Sequence, residues 1–488
     1  MNASMPYRPV GRPARAGFAG PDGRLKALAL LGLLAAGLPA FARDPLPVPA
    51  HAVIGVQERH LQADDWIRRL AQPDRLLLDE AGVAAQNDRM RKDDRHVHVL
   101  QDLPAAFTRA QVRGWLDPLS ALPTRTLYDD QGREVTKPQL AAIAANAAVD
   151  AVAANTAARY GLVVHRADLR TFPTRQRVFS SRGDTDIDRF QESALFPGTP
   201  VVIAHTSADG DWYFVVSPRY AAWIEKRFVG EGPRETVFGY GTGASALVVT
   251  GATARTVYNP EEPGLSALQL DMGVRVPVLA DWPAKKPVNG QHPYTSHVIQ
   301  LPVRRDDGTL ALLPALLPRT ADVAPDYLPY TSANLLRQSF KFLGERYGWG
   351  HSYDSRDCSG FVSEVYQSMG IVLPRNTSAQ AVSPALERIG FDAGDSHEKR
   401  LAVLRTLQVG DLVYIPGHVM MVIGHDNGTT YTIHDTTGIT YRGADGNVVR
   451  TTLNSVAVTP LEPLLFNSEQ PTVGRITAIQ RVRPQGAP

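Results

Sequence analysis

The chain has 488 residues, sets 51 basic against 49 acidic residues for a formal charge of +2, and is 43% hydrophobic with 40 glycines and 37 prolines. At about 150 residues per domain, this length predicts three or four domains with cores of their own and excludes wholesale disorder. The near balance of charge excludes the basic footprint of a nucleic-acid binder, so no DNA or RNA partner is expected.

In chain order, Arg8, Arg12, Arg15, Arg24 and Lys26 precede an apolar run from Ala27 to Leu38 and the small-x-small triplet Ala40-Phe41-Ala42. This is the layout of a secretory signal over 1–42, because a run that short cannot span a bilayer, which takes roughly 20 residues. The expected protein is exported, periplasmic or secreted, with no stable membrane insertion. No cysteine follows the run to take a lipid. Pro45, Pro47 and Pro49 then mark a short extended stretch.

Residues 43–160 read as a helical N-terminal domain. Thr136-Lys137-Pro138-Gln139 has the form of a capping box, and Leu140, Ile143, Ala144, Ala147 and Ala151 follow at helical spacing. From 161 to 229 the pattern changes to short strands. Pro200–His205 and Trp212–Val216 flank an Asp209-Gly210 turn, which predicts a hairpin in a small barrel whose core holds Trp212 and Trp223. A second β domain is expected over 230–313, with strands near 246–250 and 268–279. Pro314, Pro318, Pro325 and Pro329 suggest a linker over 314–329. The last domain, 330–488, orders a helix, a second helix carrying the cysteine, then strands, an α+β pattern.

Cys358 is the only cysteine in the chain, so no intramolecular disulfide forms. It opens a helix whose apolar face is Phe361, Val362, Val365, Tyr366 and Met369, with Gly370 as the stop. A helix start favours an anion, so a lowered thiol pKa and a reactive thiolate are expected. A base is then needed. His418 opens the run Val419-Met420-Met421-Val422-Ile423, and a turn at Asp426-Asn427-Gly428 returns the chain through Ile433 to His434. The hairpin places the two histidines opposite or nearly opposite each other. Either alone reads as an ordinary strand-end residue, but together with the cysteine helix they read as a catalytic set. Zinc is the competing reading, weakened by the lack of a CxxC or HxxxH pair.

Three other features read as structural. Gly239-Tyr240-Gly241-Thr242-Gly243-Ala244 lacks the strand and helix of a nucleotide loop, and His96 and His98 lie in a charged stretch and read as solvated.

The blocks Tyr347-Gly348-Trp349-Gly350, Asp357-Cys358-Ser359-Gly360-Phe361-Val362, Gly410-Asp411-Leu412, His418-Val419 and Ile433-His434 together resemble the NlpC-type branch of papain-like cell-wall peptidases. Upstream, Asp188-Arg189-Phe190-Gln191-Glu192-Ser193, Pro197-Gly198-Thr199-Pro200, Asp209-Gly210-Asp211-Trp212 and Ala222-Trp223-Ile224 resemble the first bacterial SH3-like domain of multi-domain members, and Leu76-Leu77-Leu78 to Asn87 is similar to their helical N-terminal segment. The resemblance implies a multidomain α+β chain: a helical N-terminal segment, two small SH3-like β-barrels, and a C-terminal papain-like α+β catalytic domain.

It further implies Cys358 as nucleophile, His418 as general base and His434 as its orienting group, with Tyr347 an oxyanion donor and Asp357 and Ser359 binding the stem peptide of peptidoglycan. No metal or organic cofactor is implied. The implied cut is between γ-linked D-glutamate and meso-diaminopimelate or lysine, often on peptides with a free N-terminal L-alanine, whose ammonium Asp357 is suited to hold. His351 departs from the glycine that the family often has there. Two alternatives stay open: an N-acetylmuramoyl-L-alanine amidase or acyltransferase using the same thiol, and a non-catalytic wall-binding protein. The residues name no immunity or inhibitor protein.

Overall fold

Thr136 caps the helix Lys137–Asn146 as its sequence predicts, its hydroxyl accepting from the Gln139 amide while the Gln139 side chain accepts from the Thr136 amide. The structure is a computed structural model and describes residues 53–483 apart from residue 244; the expected signal over 1–42 and the Pro45 to Pro49 stretch lie outside the described residues. No helix among the described residues is long and apolar enough to cross a membrane.

The N-terminal segment is mainly helical, with Ala63–Arg68, Glu80–Asp93 and Arg109–Leu119 ahead of the capped helix, but short strands interrupt it. Leu76–Leu78 pairs with Tyr330–Thr331 at the entrance to the last domain. Next to that strand, Asn87 donates to the Gly370 carbonyl at 2.7 Å and accepts from the Val372 amide at 2.9 Å. Trp66 and Met90 sit in one apolar core with Phe361, Val365 and Met421. This segment is therefore part of the last domain's packing.

The predicted hairpin at Asp209-Gly210 forms, with Gly210 at φ +78°. Its strands, Pro200–Thr206 and Trp212–Val216, are central in a seven-stranded antiparallel sheet that also takes Arg159–Val163, Ala167–Arg170, Gln191–Leu195, Ala221–Glu225 and Val229–Glu231. The sheet thus begins before residue 161. Trp212 and Trp223 are buried, the core role expected of them. His98 corrects its solvated reading, bonding the Ser217 carbonyl at 2.9 Å at the junction with this sheet, whereas His96 bonds Asp94 at 3.0 Å and stays partly exposed.

The second β region gathers small sheets of three, two and two strands on an apolar core that runs from Leu247 to Leu317. Its extent corrects the linker expected over 314–329. Leu310–Pro318 is a strand, paired residue by residue with Ser296–Arg304, and Val323–Ala324 pairs with Ala246–Val249. Of the prolines that suggested a linker, Pro314 and Pro318 lie in a two-stranded ribbon, where every strand has one unpaired edge and tolerates a missing N–H, while Pro325 and Pro329 lie in the irregular stretch that follows. Gly241 and Gly243 form a loop that Arg275 ties down through their carbonyls.

In the last domain, the helix Cys358–Gln367 buries Phe361, Val362, Val365 and Tyr366 against a seven-stranded antiparallel sheet. The central strands are Leu412–Ile415, His418–Asp426, Thr429–Arg442 and Val448–Pro460. The strand Glu387–Gly390 and the helix His397–Leu404 were not anticipated. Arg356, fully buried, joins this domain to the second β region: it donates to Asp271 at 2.8 Å, Glu364 at 2.7 Å, Glu345 at 2.7 Å and the Ala252 carbonyl at 2.9 Å. Removing one partner of a buried ion cluster leaves the others uncompensated, at a cost of about 3–5 kcal/mol. Arg356→Ala should therefore lower the unfolding free energy by about that amount in urea titrations; a change under about 1 kcal/mol, the size of a surface pair, would contradict this role.

Candidate active site

Asp357 starts the cysteine helix by accepting from the Gly360 amide at 2.8 Å, which puts Cys358 in the first turn. Its carboxylate also takes Arg375 on both oxygens, at 3.1 and 2.8 Å, the Gly350 amide at 3.0 Å and the Ser359 hydroxyl at 3.2 Å. Five donors exceed the roughly four lone-pair sites a carboxylate offers. Burial alone would raise its pKa, but Arg375 and His351 prevail and hold it at about 2. Asp357 is thus an ionised, buried and saturated group, which corrects its expected part as the holder of a substrate ammonium. Ser359 is buried too, donating to Asp357 and accepting from Arg375 at 3.0 Å.

Cys358 Sγ lies 3.6 Å from Thr377 Oγ1, and the Val419 amide donates to it. Val419 follows His418, so the strand that carries the histidine runs past the thiol. His418 Nε2 is 2.7 Å from His434 Nδ1, and His434 Nε2 is 2.9 Å from Thr459 Oγ1. Met421 faces Ile433 in the ladder, so His434 stands two positions from direct opposition to His418. Diagonal neighbours on one face of a pair are within reach of long side chains, which the nearly opposite placement expected from the sequence allows. For Nδ1 of His418 to be the free base, Nε2–H must donate to His434 and His434 must donate to Thr459. Thr459 can accept that bond, and its contact with His434 has no local sequence signal.

The electrostatics overturn the expectation of a lowered thiol pKa. Burial pushes Cys358 up to about 12, with the Asp357 charge acting the same way against Thr377 and the Val419 amide. Burial likewise takes His418 down to about 4 and His434 well below its usual value. The helix field is real but acts within one turn, and here the loss of water outweighs it. The resting pair is a neutral thiol and a neutral imidazole.

Tyr347 is buried, and its hydroxyl is raised well above the usual range by burial and then by Cys358, which places it beside the sulfur. With Trp349, His418 and His434 it lines a groove of about 890 Å³. On the other side, Asn376 and Ala379 share a pocket of about 470 Å³ with Glu192, Arg219 and Tyr220 of the SH3-like sheet's surface. Tyr220 donates to Glu192, which also accepts from Thr171 at 2.6 Å. Glu192 and Tyr220 escaped the sequence reading because they join the site only across a domain boundary. Arg375 had a faint signal in Leu373-Pro374-Arg375-Asn376-Thr377, a polar triplet between an apolar pair and a helix.

His351 takes the left-handed conformation, φ +66°, that a glycine would adopt without strain. Its ring accepts from Arg375 at 2.7 Å and donates to Glu364 at 3.0 Å. It also packs on Gly360, where an added Cβ would lie 2.5 Å from His351 Cε1. The imidazole therefore fills the back of the site and does not face the groove.

Next to His434 on the strand Thr429–Arg442, Asp435 is buried with neither carboxyl oxygen hydrogen-bonded to a described residue. Burial, then Asp357 and Glu345, push it up to about 9, so it is neutral at pH 7. A thiol held this high reacts only through its small thiolate fraction. Alkylation of the free protein by iodoacetamide should accelerate about tenfold per pH unit between about pH 7 and 10 without levelling off; a plateau below pH 8 would contradict the geometry.

Residues 344–458 match the NlpC/P60 family, and residues 177–225 match the SH3 domain of SH3b1 type. The gamma-D-glutamyl-L-lysine dipeptidyl-peptidase of Bacillus cereus is 27% identical over 264 residues, spanning 50% of this chain and 67% of that protein. An NlpC/P60 endopeptidase from Photobacterium damselae subsp. piscicida shares the fold with a TM-score of 0.68, at 17% identity over 86% of this chain and 96% of that one. An NlpC/P60 family protein of Bacillus cereus covers 67% of this chain and 100% of its own at 20% identity, with a TM-score of 0.44. The chain thus carries an SH3b-type domain that leads into an NlpC/P60 domain, a cysteine peptidase domain, whose helix presents a single cysteine.

Proposed function

We propose that the enzyme hydrolyses the bond between γ-linked D-glutamate and a diamino acid, meso-diaminopimelate or lysine, in peptidoglycan stem peptides. The observation that carries the mechanism is the convergence of three chain segments: the thiol at a helix start, the Val419 amide against it, and the His418–His434–Thr459 chain behind. The name of the Bacillus cereus relative, a gamma-D-glutamyl-L-lysine dipeptidyl-peptidase, supports the choice of bond.

Because thiol and imidazole rest neutral, proton transfer accompanies attack. The Cys358 proton passes to His418 Nδ1 as Sγ bonds to the carbonyl carbon, and the oxyanion forms near the Cys358 amide, an unpaired first-turn donor, and the Tyr347 hydroxyl. His418 then protonates the leaving amine, and later takes a proton from the water that splits the thioester. His434 keeps the ring oriented throughout.

The leaving residue must lie over His418, hence in the groove of about 890 Å³. The acyl half then lies toward Thr377 and Asn376, where Glu192 takes the ammonium role that saturated Asp357 cannot fill. An N-terminal L-alanine fits this charge.

Cys358→Ala should abolish peptide release from purified sacculi, and mass spectrometry of digests by the native enzyme should find free L-Ala-D-Glu. Intact stem peptides would instead indicate an amidase, and undiminished release by the variant would remove the thiol. The depressed His418 sets the pH profile. The base is neutral above its pKa of about 4 and is lost as pH falls through it. kcat/KM, which reports the free enzyme, should therefore stay flat from about pH 9 to pH 5 and fall only below. An acid limb near 6.5, the ordinary imidazole value, would refute this assignment.

A further inference from the structure

Arg219 occupies the turn between the strands Trp212–Val216 and Ala221–Glu225. Its guanidinium makes no hydrogen bond or ion pair with any described residue, and its Nη1 is buried. It stands where two cavities meet: the acyl-side pocket of about 470 Å³ with Glu192, Tyr220 and Asn376, and a neighbouring space of about 310 Å³ reaching Ser193 and Arg375.

The surrounding groups do not neutralise it. Arg375 is consumed by Asp357, Ser359, Ser193 and His351. Glu364 is held by Arg356 and His351, while Glu192 accepts from the Tyr220 and Thr171 hydroxyls and keeps its charge, which makes no ion pair with Arg219 among the described residues. His96 and His98 have their own acceptors. A guanidinium with a buried, unbonded Nη1 and no ion-pair partner among the described residues is destabilising, and burial, with Arg375 alongside and Glu364 opposing, pulls this one down to about 10. A ligand carboxylate would give it the ion-pair partner it lacks among the described residues.

A γ-linked D-glutamyl residue carries such an anion, since its α-carboxylate is not used in the peptide bond. A guanidinium matches a carboxylate with two parallel hydrogen bonds. We infer that Arg219 receives this free α-carboxylate and so makes the enzyme select D-glutamate over its α-amide, D-isoglutamine. This rests on the γ-D-glutamyl reading given above and adds to it a residue that determines specificity.

The test compares kcat/KM for L-Ala-γ-D-Glu-L-Lys and for the same tripeptide with the α-carboxyl amidated, in the native enzyme and in Arg219→Gln and Arg219→Lys. The native enzyme should prefer the acid about 30-fold, the size of one lost charge-assisted hydrogen bond. Arg219→Gln should bring that ratio near one, Arg219→Lys should recover part of it, and Tm should hold or rise in Arg219→Gln because an unpaired buried charge is gone. Equal cleavage of both peptides by the native enzyme would overturn the inference. So would an unchanged ratio in Arg219→Gln, or a fall in Tm with both activities reduced alike, which marks a structural residue. If neither tripeptide is cut while sacculi still lose peptide, the bond assignment itself is wrong and this inference falls with it.

Discussion

The ion pair between Asp357 and Arg375 holds the site together. Asp357 caps the cysteine helix and anchors the Gly350 amide, while Arg375 reaches back to Ser193 of the SH3-like sheet and to the ring of His351. One buried carboxylate and one buried guanidinium thus tie together the helix start, the loop before it and the neighbouring domain. Neither charge could be buried alone, because desolvation of an unpaired ion exceeds what the fold can offset. The same pair sets the chemistry. An Asp357 kept ionised next to Cys358 raises the thiol, so the interaction that positions Cys358 also favours its neutral form.

A second set of buried charges extends this design across the second β region. Asp271 takes both Arg166 and Arg356, and Arg166 goes on to the His351 and Ser355 carbonyls at the loop before the cysteine. The loop contains His351, Tyr353 and Asp354 at positive φ, a strained backbone that survives because it is bonded from several sides. From the SH3-like sheet, Gln191 binds both the Gly350 carbonyl and, through its own carbonyl, the Trp349 indole. The cleft is therefore built where domains meet, as ligand sites commonly are. Glu192, Arg219 and Tyr220, which share a pocket with Asn376 and Ala379 of the last domain, belong to the SH3-like sheet's domain.

Much of the chemistry was legible because it is local. Cys358 at a helix start follows from Asp357-Cys358-Ser359-Gly360 and the apolar spacing behind it; the turn at Asn427-Gly428 brings His418 and His434 onto adjacent strands. Period and turn type decide such features, and both lie within a few residues of the groups concerned. What misled was also local. The prolines of Leu310–Pro318 have the composition of a linker, and only their pairing with Ser296–Arg304 shows them to be strand. Likewise, His98 looks solvated among charges until its ring meets the Ser217 carbonyl of the SH3-like sheet.

The amino-acid sequence by itself determined which residues can do chemistry: one thiol at a helix start and two histidines on paired strands, in the order of blocks shared by NlpC-type peptidases. Tertiary structure alone decided their protonation states. A thiol's pKa depends on how much water surrounds it and which charges stand near, and here burial outweighs the helix field that sequence reasoning relied on. It also decided that Asp357 is consumed as an internal ion, that Thr459 meets His434, and that Arg219 finds no ion-pair partner among the described residues. Each depends on side chains tens to hundreds of residues apart, whose distances no sequence spacing sets.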